Sequence, residues 1–137
     1  RNKAIHVKGI NVLSEVKKGD HAQEYQTAER CHIIEVANDA GDEQVSIARA
    51  RVDAGVTTAW HRLQDTSERY IIVSGAGLVE VEDIKATLVG PGDVVRIPPG
   101  KAQRITNTGD AQLIFYAVCA PPFTEEAYIN LESTSAE

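Results

Sequence analysis

Aromatic residues make up only 5% of this 137-residue chain. Ile, Val, Leu and Ala must therefore fill most of any interior. Cysteine is nearly absent as well. Two residues, Cys31 and Cys119, are too few for a disulfide framework. Both sit in apolar runs, where a thiol serves as a small hydrophobe, so a reduced, cytoplasmic setting is the expectation. Basic runs are missing: Lys and Arg number 14 against 20 Asp and Glu, a net charge of −6. That balance argues against a nucleic-acid partner. No apolar stretch approaches the roughly 18 residues of a membrane span. The longest, residues 113–120, reads as a buried strand. No signal-peptide pattern, internal repeat or low-complexity linker is visible, and the length suits one domain with one core.

What the chain does contain is β pattern. Residues 31–36 and 45–52 read as strands, separated by the turn cluster Asn38, Asp39, Ala40, Gly41 and Asp42. In the second strand Ala48, Ala50 and Val52 share one phase, and Ile47, Arg49 and Arg51 the other. Strand signals recur at 58–63, 69–73, 77–81, 86–89, 93–97, 102–107 and 113–119, with Gly/Pro turns between them. Many short strands at this spacing predict a sandwich or barrel. Residues 1–30 form an N-terminal segment with strand signals near Ile5, Val7, Ile10 and Val12, then a polar loop or helical turn over 20–30. Residues 31–120 form the barrel. Residues 121–137 hold a short helix capped by Thr124, with Glu125 and Glu126 in its first turn, and a polar tail.

Two glycine-anchored patterns stand out. Gly55 is followed by His61, Leu63, Glu68 and Gly75 at intervals of five, one, four and six intervening residues. Gly92 is followed by Pro98, Gly100, Gln103 and Asn107 at intervals of five, one, two and three. Together they resemble the paired motifs of the cupin superfamily, G-x5-H-x-H-x3-4-E-x6-G and G-x5-P-x-G-x2-H-x3-N. Leu63 and Gln103 stand where the family has its second and third metal-ligating histidines. The stretch from Pro121 to Tyr128 is loosely similar to the tail of mannose-6-phosphate isomerase-like cupins. The resemblance implies an all-β, double-stranded β-helix (jelly-roll) barrel with a short C-terminal helical segment. It also implies a homodimer in which the N-terminal segment adds a strand to its partner.

Strand alternation puts His61 and Leu63 on one face, as it does Glu68, Tyr70 and Ile72, and Gln103, Ile105 and Asn107. In a cupin barrel His61, Glu68 and Gln103 converge on the mouth, with Leu63 and Ile72 in the wall beside them. The resemblance then implies one divalent metal (nickel, zinc, iron or manganese) held by His61, Glu68 and Gln103. One imidazole, one carboxylate and one amide oxygen form a depleted ligand set for such an ion. His32 is either a structural histidine or a further nitrogen, according to which phase of its strand faces inward. In this reading the metal polarises an oxygen of a small polar metabolite, and Glu68 or Tyr70 moves a proton, as in isomerases, oxygenases or lyases. The other reading is a metal-free, non-catalytic barrel that binds or senses a small ligand through the same three residues.

Overall fold

Alternation is the feature that the backbone obeys throughout. The computed structural model describes residues 11–132. The strand signals at Ile5, Val7 and Ile10, and His6, lie outside the described residues, as does the tail over 133–137. A 3-10 turn, His21–Gln23, is capped by Asp20. The strands that follow are β1 (Tyr25–Gln26), β2 (His32–Ala37), β3 (Ser46–Val52), β4 (His61–Leu63), β5 (Ser67–Ser74) and β6 (Gly77–Val81). They continue with β7 (Thr87–Val89), β8 (Val94–Ile97), β9 (Gln103–Asn107), β10 (Leu113–Ala120) and β11 (Tyr128–Asn130).

The strands form two antiparallel sheets. One runs β1-β2-β3-β10-β5-β8, the other β11-β4-β9-β6-β7. Sheets packed face to face bury every second side chain, and β10 alternates buried and half-buried over its whole length. The core between the sheets holds Ile72, Val79, Ile105, Leu113, Phe115 and Val52. Ala50 and Val52 are buried with it, so their phase of β3 faces inward. This is the jelly-roll barrel that the two motifs imply.

Two local readings differ from the sequence expectation. The strand expected over 58–63 begins only at His61, because Thr58 is held instead by its amide and hydroxyl on the Ile105 carbonyl. The C-terminal segment is a 3-10 turn, Glu125–Ala127, capped by the Thr124 hydroxyl, and it leads into β11. That strand was not legible, because a three-residue run becomes a strand only through its partner: Tyr128 pairs with Leu63 and Asn130 with His61. Near the N-terminus, Val12 forms a bridge with Asp42, and the Leu13 amide donates to the Gly41 carbonyl within the same chain.

Asn107, the last motif position, is a structural clamp. Its side-chain amide donates to the carbonyls of Val52 and Ala111, each at 2.8 Å, and its oxygen accepts from the Gly109 amide. One buried side chain thereby joins strands of both sheets.

Candidate functional site

A cavity of about 450 Å³ opens at one end of the barrel, between the sheets. His61, Leu63, Glu68 and Cys119 form its floor. Each reaches it by alternation and pairing. His61 opens β4 opposite Gln103 of β9 and Asn130 of β11. Glu68, on β5, lies opposite Cys119 of β10.

The polar groups behind the floor form one connected set. The Tyr70 hydroxyl donates to the Gln103 side-chain oxygen. The Gln103 amide donates to Glu68 Oε1 at 2.8 Å, and the Cys119 thiol stands 3.7 Å from Glu68 Oε2. Gln103 and Glu68 belong to different sheets, so this set also ties the sheets together. Burial pushes the Glu68 carboxyl above its ordinary range, against the lowering pull of His61 and of the bond from Gln103. Burial likewise pushes the Tyr70 hydroxyl well up, with the nearby Glu68 charge adding to it. The Cys119 thiol is raised by burial and by Glu68.

His61 is 5% exposed. Its Nδ1 lies 2.8 Å from the Ala59 carbonyl oxygen. A carbonyl only accepts, so Nδ1 carries the hydrogen and the neutral ring keeps its lone pair on Nε2. The ring stacks on Tyr128 with centroids 4.8 Å apart, and Glu29 approaches Nδ1 at 3.9 Å. Orientation is therefore fixed from three sides, and Nε2 is the nitrogen left for a ligand.

The structure brings together His61, Glu68 and Gln103, as alternation predicts, but not in equal roles. His61 and Glu68 line the cavity. Gln103 is fully buried behind them, and Tyr70 and Ile72 lie deeper in the core. Tyr70 thus reaches the cavity only through Gln103 and Glu68. His32 turns away: its Nε2 pairs with Asp53 at 3.1 Å, while Ile33 and Glu35, on the other phase of β2, line the wall. Arg49 and Arg51 also face outward, where both pair with Glu24.

The donor set does not fit the metal centre that the resemblance implies. Leu63 offers no donor atom. Gln103 has its oxygen on Tyr70 and its amide on Glu68. Among the described residues, no group of three or more His, Cys, Asp or Glu side chains is placed to hold a metal ion.

Sequence reasoning missed Cys119, Glu29 and Tyr128. Alternation along β10 marks Cys119 as inward, but only pairing sets it against Glu68. Glu29 lies between β1 and β2 with no periodic signal, and Tyr128 belongs to the unpredicted β11.

Comparison with known proteins agrees with this architecture. The family model described as Cupin domain matches residues 48–119, more than half of the chain. An uncharacterized protein of Methanocaldococcus jannaschii is 33% identical over 81 residues, covering 59% of this chain and 64% of that one. The match thus spans less than two thirds of that relative's length. Among solved structures, a Streptomyces PAC13 variant with uridine superposes with a TM-score of 0.70 at 17% identity, over 90% of this chain and 95% of the other. PAC13 is described as a nucleoside dehydratase. A sugar phosphate isomerase of the cupin superfamily from Silicibacter pomeroyi gives 0.58 at 19% identity, over 66% of this chain and 59% of the other. At such identities the likeness speaks for the fold. No helix among the described residues is long and apolar enough to cross a membrane.

Proposed function

This chain belongs to the cupin family, and from that premise we propose that it is a metal-independent acid–base site for a small polar metabolite. The observation that carries the reading is the anchoring of His61: Nδ1 is fixed on the Ala59 carbonyl, which leaves Nε2, beside the buried Glu68, without a hydrogen-bond partner among the described residues. His61 Nε2 accepts a proton from the bound metabolite. Glu68, whose burial favours the protonated form, donates one to the departing or rearranging oxygen. Paired groups with opposite proton preferences suit elimination of water or isomerisation. Gln103 and Cys119 hold the two Glu68 oxygens, and Tyr70 holds Gln103 in turn, so Gln103 and Tyr70, which do not line the cavity, are positioning residues. The fold it shares with a nucleoside dehydratase is consistent with this chemistry.

Elemental mass spectrometry on protein made without a histidine tag is the first test. The expected result is far less than one equivalent of any transition metal, even after exposure to iron, nickel, zinc and manganese and then dialysis. One equivalent of a single metal, lost in His61→Gln, would overturn the reading. A panel of polyols, nucleosides and amines, followed by proton NMR, then separates catalysis from binding. The expected result is turnover in the native chain and a rate about 100-fold or more lower in His61→Gln, with an unchanged melting temperature. Binding without turnover for every compound would leave a binding barrel in place of an enzyme.

A further inference from the structure

The wall of the cavity has a charge pattern that goes beyond its acid–base pair. Four acidic side chains line it: Glu29, Glu35 and Glu125, with the buried Glu68 behind them. Among the described residues, no lysine or arginine does. The arginines nearest in sequence are committed elsewhere, Arg49 and Arg51 to Glu24 and Arg30 to Glu132. Three aromatic rings, Tyr25, Phe123 and Tyr128, complete the wall. We infer that the cavity takes a small organic cation, an amine on an apolar or aromatic body.

The physical argument is one of desolvation. A phosphate or carboxylate entering this cavity exchanges water for a wall whose acidic side chains outnumber its one imidazole, with no lysine or arginine among the described residues, which is costly. An ammonium exchanges water for carboxylate oxygens and for the faces of aromatic rings, both of which attract it. The groups are graded by depth. Glu35, Glu125 and Tyr25 are exposed at the rim, while Glu29 lies half-buried beside Tyr128 and His61. Rim charges raise the local concentration of a cation, and the inner carboxylate holds it. The carboxylates already act on their neighbours: after burial itself, Glu35, Glu125 and Glu29 raise the Tyr25 phenol, and Glu29 raises that of Tyr128. An independent observation marks the cavity as a ligand site, since His61, only 5% exposed, presents there an Nε2 with no hydrogen-bond partner among the described residues.

This inference rests on reading the cavity as a ligand site, and adds the sign of the ligand's charge. Glu29 is the residue to change, because its backbone carbonyl rather than its side chain holds the Ala59 amide. Three probes of one shape, phenethylamine, 2-phenylethanol and phenylacetate, are titrated by calorimetry into the full chain at pH 7 and low salt. The amine is expected to bind about tenfold or more tighter than the alcohol, with phenylacetate and inorganic phosphate showing no saturation. Glu29→Gln is expected to weaken the amine about tenfold and leave the alcohol unchanged. Equal binding of all three probes, or an amine affinity unaltered in Glu29→Gln, overturns the charge inference while the ligand site stands. Binding of none of them at millimolar concentration overturns both.

Discussion

Glu68 is a carboxyl pulled in two directions. Burial resists its charge, and the neighbouring His61 and Gln103 favour it, with burial the larger. Its folded-state affinity for protons therefore exceeds that of the unfolded chain. A group of this kind stabilises the fold fully below the unfolded carboxyl range, and that contribution is lost as pH rises through the folded value. Glu68→Gln keeps the shape and the acceptor for Gln103 but never ionises. It is expected to melt above the native protein at pH 8, with the gap closing toward pH 4. Melting curves across that range check this, and an equal or lower melting temperature at pH 8 would contradict it. Asn107 gives a second test. Its truncation in Asn107→Ala leaves the Val52 and Ala111 carbonyls and the Gly109 amide without their partner. Unsatisfied buried groups of this kind cost about 2–4 kcal/mol in all, readable by denaturant unfolding.

At the scale of elements, the turns between strands differ in what they tolerate. Gly75 joins β5 to β6 with φ at +92°. A Cβ there would stand 2.6 Å from the Gln112 carbonyl oxygen and 2.8 Å from the Leu113 Cα, both backbone atoms. Gly92, between β7 and β8, has φ at +91° but open space around it. The two motif glycines therefore separate conformational strain from collision. Gly92→Ala is expected to cost about 1–2 kcal/mol, the penalty of a left-handed residue with a side chain. Gly75→Ala adds displacement of β10 and is expected to cost about 3 kcal/mol or more, or to abolish folded expression. Comparable losses from both would show that the Gln112 contact plays no part. The same scale explains the site: β11, a three-residue strand, supplies the ring that backs His61, and β10 supplies the thiol beside Glu68.

For the whole molecule the open question is association. Among the described strands β8 is an edge, and the outer face it shares with β5 leaves Ile71, Val73 and Val94 exposed, Val94 at 56%. Ile71 and Val94 are cross-strand neighbours, so the patch is continuous. An exposed edge beside apolar residues invites pairing and is commonly covered by a second copy. The homodimer implied by the resemblance would do so. Sedimentation at micromolar concentration is expected to return twice the protomer mass of 14.9 kDa, and Val94→Glu to return the protomer. A native chain that stays at the protomer mass would remove the dimer.

By itself, the sequence determined most of the barrel strands and which of their faces turn inward. Period-two alternation and glycine turns are local properties, so β3, β5, β6, β9 and β10 were legible almost residue by residue, as was the inward aim of His61, Glu68 and Gln103. The paired motifs carried the barrel for the same reason: their spacing counts residues between turns. Only the tertiary structure decided which inward residues meet and what remains available to a ligand. Gln103 is spent on Tyr70 and Glu68, His32 faces Asp53, Cys119 meets Glu68 only through strand pairing, and Glu29 and Tyr128 arrive from segments whose local pattern carries no sign of the site. The physical reason is that register and sheet closure are long-range: a hydrogen bond between residues 33 or 51 positions apart is set by pairing, and no local period records it.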